Sequence, residues 1–443
     1  MKRLFHIRKV VSRLRECKVV KISENILEGA RGFRYSCGTF FVRGGADMAV
    51  AVKIQDAIER SSWIRKMFEE GARLKSLHGS DKVYDFSLGN PDLEPPEKFR
   101  QVLSSVIADS TTGSHGYMPN SGYEETRAAV ADYVSQEQGV RVGSEHVVMT
   151  CGAAGALNCT FKTLLDPGDE VIVSAPYFVE YGFYADNHGG QIRVVPTKDD
   201  FTLDLMAVER AITSKTKVVL INSPNNPSGQ VYDHPSLKTL GDLLAAKGRK
   251  MGKTLYLVSD EPYRKIVYDG LEVPSIFETY PNSIVATSYS KDLSLPGERL
   301  GYLVVHPEAD GMKDLMGGLV LANRILGFVN APALMQRVAT HLQGACVDVG
   351  IYQARRDLLC QGLADAGYEF VKPRGAFYLF PRSPVADDVA FVNSLQEENI
   401  LVVPGRGFGS PGYFRIAYCV EKKTIERAMP GFARARQRAL GEA

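Results

Sequence analysis

Seven short apolar runs between residues 147 and 305 set the frame of this chain: Val147–Met149, Glu170–Val173, Ile192–Val195, Val218–Ile221, Leu255–Ser259, Ile284–Thr287 and Tyr302–Val305. They hardly alternate between apolar and polar residues, which predicts strands buried on both faces. Helix-period patterns lie between several of them, at Gly155–Leu164, Leu205–Ile212 and Pro235–Lys247. Strands alternating with helices predict an α/β fold, in which a mostly parallel sheet is covered by helices on both faces. From about residue 331 the pattern changes to helices (Ala333–Leu342, Val349–Ala366) and shorter strands (Ala376–Phe380, Phe414–Tyr418), which predicts a second, smaller α+β domain. Upstream, Val52–Ile58 and Ser62–Lys75 carry amphipathic helical patterns, and Tyr84–Leu88 reads as a short strand. The expected organisation is a large domain over 95–330, a small domain built from 48–94 with 331–443, and an extension, 1–47, outside the catalytic fold.

Ligands of such sheets bind beyond the carboxyl ends of the strands, so the residues after each apolar run are the informative ones. After Ile284–Thr287 comes Ser288-Tyr289-Ser290-Lys291, with Arg299 eight residues further on. A lysine amine there can form a Schiff base with an aldehyde cofactor, while neighbouring hydroxyls and a guanidinium hold its phosphate. After Leu255–Ser259 comes Asp260-Glu261-Pro262-Tyr263. An acid at the end of a buried strand needs a partner, for which a pyridinium N–H and a helix N-cap both serve. After Val147–Met149, small residues (Gly152-Ala153-Ala154-Gly155) open a helix. They suit either an anion at free N–H groups or close helix–sheet packing. Asn222-Ser223-Pro224-Asn225-Asn226-Pro227 stiffens the backbone after Val218–Ile221 and presents amides. Arg415, inside the apolar strand Phe414–Ala417, wants a carboxylate, either structural or a substrate's. The Gly89-Asn90-Pro91-Asp92 turn ends a strand, and Gly405-Arg406-Gly407-Phe408-Gly409 reads as a turn connecting lobes rather than as a phosphate loop.

Composition narrows the classes. A formal net charge of +2 offers no global field for nucleic acid or membrane. The seven cysteines show neither a CxxC pair nor zinc-ligand spacing, which fits a reducing, cytoplasmic setting rather than a disulfide framework. No metal site is expected. The first 47 residues are basic, with Lys2, Arg3, Arg8, Lys9, Arg13, Arg15, Lys18 and Lys21 against the single acid Glu16 over the first turns. A targeting peptide to an organelle, a nucleic-acid arm and sequence upstream of a true start at Met48 all remain open readings.

In combination these pieces resemble class I aminotransferases, the fold type I enzymes dependent on pyridoxal 5′-phosphate (PLP), from roughly Met48 to the C-terminus. The motifs recur in the family's order: the Gly89 turn, Tyr117, Gly152-Ala153-Ala154, Pro176-Tyr177-Phe178, Asn226-Pro227, Asp260-x-x-Tyr263, Ser288-x-Ser290-Lys291, Arg299 and Arg415. The resemblance implies that Lys291 carries the cofactor and moves the proton at the substrate Cα. It implies that Asp260 pairs with the pyridine nitrogen and that Asn226 and Tyr263 bond the phenolic oxygen. Phe178 would stack on the ring. Ser288, Ser290, Arg299 and the amides of Ala153 and Ala154 would hold the phosphate. Tyr117 would reach the phosphate of a neighbouring subunit, which implies a homodimer with shared sites. Arg415, helped by Gly89 and Asn226, would bind the substrate carboxylate. The implied reaction moves the amino group of an L-amino acid to a 2-oxo acid by a ping-pong cycle. Arg324 lies near the place where some relatives supply an arginine for a second carboxylate. Two alternatives remain beside this: a PLP-dependent lyase of the aminocyclopropane-carboxylate-synthase type, suggested by Ser290-Lys291-Asp292-Leu293-x-Leu295-Pro296-Gly297, and a PLP-sensing regulator.

Overall fold

A computed structural model describes residues 50–60 and 63–441. The expectations for residues 1–47 lie outside the described residues. The chain divides into two units, Met1–Ser61 and Ser62–Ala443. Of the first, the helix Val52–Arg60 is described. The second carries everything below.

All seven predicted runs form one sheet. Its strands are β2 (Val147–Thr150), β3 (Glu170–Ala175), β4 (Gln191–Pro196), β5 (Thr216–Asn222), β6 (Tyr256–Asp260), β7 (Ser283–Ser288) and β8 (Gly301–Val305), following a short β1 (Tyr84–Asp85) that lies elsewhere. Their spatial order is β2-β8-β7-β6-β5-β3-β4. The β3–β4, β3–β5, β5–β6 and β6–β7 pairs are parallel, and β8 runs antiparallel to both β7 and β2. Two reversals restore the direction, so β2 points the same way as β7. The carboxyl ends of β2, β3, β5, β6 and β7 therefore share one edge with the start of β8.

The non-alternating runs have their predicted cause, since β6 and β8 are buried at every position. One face of the sheet packs with Val147, Ile172, Val219, Leu257 and Val285 against helices that include His234–Met251 and Ala333–Thr340. The other face packs with Val148, Val173, Leu220 and Val258 against Gly152–Leu164 and Met312–Ile325. Successive residues of each strand thus enter different cores, as a period of two requires. The strand β8 comes close to the helix start at Gly152. A Cβ added to Gly301 would lie 2.4 Å from the Thr287 carbonyl oxygen and 2.7 Å from the Gly152 carbonyl carbon.

A third core, rich in aromatics, gathers Phe86, Tyr352, Phe377, Tyr378, Phe391, Phe414 and Phe432. Its strands are β9 (Tyr378–Leu379), β10 (Ile400–Leu401), β11 (Val403–Pro404) and β12 (Phe414–Ala417). β12 sits between β11 and β9, antiparallel to both, and β10 pairs in parallel with β1. The predicted strand Tyr84–Leu88 is shorter than its pattern because only Tyr84 and Asp85 find ladder partners. Gly405–Phe408 is a 3₁₀ turn joining two strands of the small sheet, β11 and β12, rather than a connection between lobes. No helix of the described residues is long and apolar enough to cross a membrane.

Candidate active site

The shared edge of the large sheet opens onto a cavity of about 320 Å3. Gly89, Ala153, Ala154, Phe178, Asn226, Asp260, Tyr263, Ser288, Ser290, Lys291, Arg299 and Arg415 all line it. Twelve of the thirteen predicted site residues thus converge from separate strand ends. Tyr117 does not join them, being 94% exposed and outside the cavity lining.

Lys291 follows β7 by three residues and donates from Nζ to the Gly89 carbonyl oxygen at 2.8 Å. Burial pushes its pKa down to about 8, and the positive charges of Arg415 and Arg299 act in the same direction. Gly89 has no room for a side chain, because a Cβ there would lie 1.9 Å from the Tyr378 hydroxyl.

Asp260 ends β6 in full burial. Its Oδ2 accepts from the Tyr181 hydroxyl at 2.6 Å, whereas Oδ1 is buried with no hydrogen-bond partner. Burial raises its pKa to about 7 against the lowering effect of the Tyr181 bond, and the Glu261 charge adds to the rise. The Asp260 backbone carbonyl accepts from Asn222 at 2.7 Å, and the Asn222 amide oxygen accepts from the Asn226 N–H at 2.7 Å. The N-cap alternative for Asp260 is excluded, since neither oxygen bonds a backbone N–H.

Arg415 is held without an acid. Its Nη2 donates to the Ser87 carbonyl at 2.5 Å and Nη1 to Asn226 Oδ1 at 3.1 Å, while the buried Nε has no partner. Its guanidinium lies 4.7 Å from the Tyr378 ring and 4.8 Å from the Phe408 ring. Among the described residues no carboxylate pairs with it. A buried guanidinium without a counter-ion is costly, and a carboxylate entering the cavity would relieve that cost. Arg299 donates to the Pro296 carbonyl at 2.9 Å and reaches over the first turn of Gly152–Leu164. There a Cβ on Gly152 (φ +73) would come within 2.9 Å of Nη2. Free N–H groups of a helix start facing a guanidinium make a receptor for an anion such as a phosphate.

The donor set fits PLP by its own chemistry: a lysine of depressed pKa, a buried acid with one oxygen to spare, and an anion cradle on one cavity. The sequence model of the family described as "Aminotransferase class I and II" matches residues 81–431. The chain belongs to that family. It is a PLP-dependent aminotransferase of fold type I, moving an amino group between an amino acid and a 2-oxo acid. A probable aspartate aminotransferase of Methanocaldococcus jannaschii is 33% identical over 378 residues, covering 84% of this chain and 96% of that one. An aspartate/prephenate aminotransferase of Thermus thermophilus is 33% identical over 365 residues, covering 79% and 90%. Among solved structures, an amino transferase from Eubacterium rectale superposes with a TM-score of 0.85 at 40% identity, covering 88% of this chain and 99% of the other. These relatives are named for transamination, and neither the lyase nor the regulator alternative is favoured.

Sequence reasoning missed several residues of this aminotransferase's cavity. Tyr181 is visible only as an aromatic three residues after Phe178, a helical spacing that brings their rings edge to face at 5.7 Å. Tyr378 sat in an aromatic stretch, Ala376–Phe380, that reads as core. Asn222 opens a turn whose sequence signal lies in its prolines, and an amide at that position carries none of its own. Arg324 is exposed near the end of Met312–Ile325 and away from the cavity lining.

Replacing Gly89 by alanine is expected to displace the Tyr378 hydroxyl and the Lys291 anchor together. PLP affinity should then fall by at least about fivefold, since overpacking of this kind costs roughly 1–3 kcal/mol. Equilibrium titration of the cofactor-free protein with PLP measures it.

Proposed function

We propose that this aminotransferase divides its chemistry among Lys291, Asp260 and Arg415. One observation carries that assignment: the three line one cavity, and none is paired with an opposite charge among the described residues. PLP, when bound, supplies an aldehyde that condenses with amines and a ring into which the electrons of the substrate Cα delocalise. Lys291 would be the residue that holds the cofactor's aldehyde carbon, and its neutral amine would serve as the base that moves the proton at the substrate Cα. Asp260 Oδ1 accepts the pyridine N–H, with Tyr181 holding the other oxygen in place. Asn226 and Tyr263 bond the phenolic oxygen, and Phe178 lies against the ring. Ser288, Ser290, Arg299 and the N–H groups of Ala153 and Ala154 hold the phosphate. Arg415 takes the substrate α-carboxylate, with Gly89 and Asn226 beside it.

The names of the relatives support aspartate as the first donor to test. Among the described residues, Arg299 and Arg415 are the guanidinium groups that line the cavity. Phosphate and α-carboxylate use both, so a side-chain carboxylate would need a cation from outside. A homodimer meets that need: the exposed Arg324 can be donated across an interface, as can the exposed hydroxyl of Tyr117 to the partner's phosphate site. The domain division is proposed on the same footing. The aromatic core supports a small domain, whereas Ala333–Thr340 packs with the large sheet and moves the second boundary to about Gln343. Free thiols at Cys151, Cys159, Cys346, Cys360 and Cys419 support a reducing compartment such as the cytoplasm.

The decisive experiment is the visible absorption spectrum with PLP. The parent protein should be yellow and respond to an amino donor, whereas Lys291→Ala should lack the protein-linked band even when PLP is added. A parent that takes up no PLP would defeat the assignment. The rate of PLP uptake should rise with pH toward a plateau, half-maximal near the Lys291 pKa of about 8 rather than the ordinary 10.5, because the neutral amine is the nucleophile. The Arg415→Lys variant should raise KM for the donor by about 10- to 100-fold, as expected for loss of a charged bidentate contact. Sedimentation equilibrium should return twice the chain mass, and Tyr117→Phe should weaken PLP binding without dissociating the dimer.

A further inference from the structure

Tyr378 has no task in the assignments above, yet it touches three of the assigned groups. It lies on β9, where it pairs across to Ala417 of β12, two residues from Arg415. Its hydroxyl is 2.8 Å from the Tyr263 hydroxyl, and this is a fully buried contact. Its ring lies 4.7 Å from the Arg415 guanidinium carbon. On its remaining side the Gly89 backbone comes so close that no Cβ would fit.

We infer that Tyr378 is a positioning residue: it donates its hydroxyl proton to the Tyr263 oxygen, so that Tyr263 aims its own proton into the cavity, while its ring braces Arg415. This rests on the reading of Tyr263 as the partner of the cofactor's phenolic oxygen. Two facing phenols share one proton between their oxygens, and the one that donates decides where the other proton points. Burial lifts Tyr378 to about 12 with Arg415 pulling it back, while burial and the Tyr378 contact hold Tyr263 well above its ordinary value. Both phenols stay protonated at neutral pH, so for Tyr263 to send its own proton into the cavity Tyr378 must supply the proton of the contact between them. One side chain then links the cofactor-facing and substrate-facing ends of the site.

The test is Tyr378→Phe in the PLP-loaded enzyme, which keeps the ring beside Arg415 and removes only the hydroxyl. A hydrogen bond to the phenolic oxygen favours its anionic form, and Tyr263 without the bond from Tyr378 is a less polarised and less firmly aimed donor, so the cofactor's proton is held more tightly. The pH midpoint of the visible band should move up by about half a unit or more, with kcat reduced at least about threefold and KM within about twofold of the parent. Tyr263→Phe should move the midpoint at least as far, and the double variant should add nothing beyond Tyr263→Phe alone. An unmoved midpoint in Tyr378→Phe overturns the inference, as does a rise in KM with the band unchanged, which would mark a packing role only. An additive double variant also overturns it. If Tyr263→Phe itself leaves the band in place, the reading of Tyr263 fails first, and the two failures are told apart.

Discussion

The structure depends on a buried acid that the protein does not neutralise. Asp260 sits at the end of β6, beneath the sheet's edge, where an ionised carboxylate costs several kcal/mol unless something offsets it. The protein offers one hydrogen bond, from Tyr181, and leaves Oδ1 unsatisfied. That arrangement is poor for stability alone. It would become favourable if, as proposed above, a protonated ring nitrogen entered, because cation and anion would then offset each other's desolvation cost. On that assignment the energy withheld in the fold would return as cofactor affinity, and the same contact would keep the ring protonated. Arg415 would repeat the logic for a substrate carboxylate, since its guanidinium is held by neutral carbonyls and aromatic faces and pairs with no anion among the described residues.

Sheet topology places those two unsatisfied charges in one cavity. Six strands end at one edge, and the segments after five of them, β2, β3, β5, β6 and β7, supply residues to a common space without any loop having to travel far. The single antiparallel strand, β8, matters most. Because it returns between β2 and β7, the turn that carries Arg299 must double back over the start of Gly152–Leu164. The absence of a side chain at Gly301 lets strand and helix start approach closely enough for guanidinium and N–H groups to face the same anion.

Much of this was legible in the chain. The seven runs of the large sheet were readable because central strands buried on both faces carry a composition that solvent-exposed segments avoid. The motif residues were readable because turn chemistry and cost mark them: an acid or an arginine in an apolar strand has to be explained. What stayed hidden was anything whose signal is shared with ordinary packing. Tyr181 and Tyr378 look like core aromatics in sequence, and only the fold shows their hydroxyls on Asp260 and Tyr263. The short strands of the small sheet are two to four residues long, too short to show a period. Ala333–Thr340 reads as the opening of the small domain by position, yet its apolar face packs on the large sheet.

Behind the cavity, the residues next in sequence to the two central groups form a second buried layer. Glu261 follows Asp260 and pairs with Arg264 at 3.0 Å; Asp292 follows Lys291 and pairs with Lys265 at 2.9 Å. Lys265 lies 4.7 Å from the Tyr133 ring, and Tyr133 donates to Glu137 at 2.6 Å. Such pairs contribute little net stability when whole but are expensive to break, so they fix geometry more than they add energy. The division of labour follows from chain direction. Alternate residues at a strand end face opposite sides, and here the first of each pair faces the cavity while the second is tied to charge within the protein. The unsatisfied groups can therefore be held still at the cavity because their neighbours are satisfied behind it.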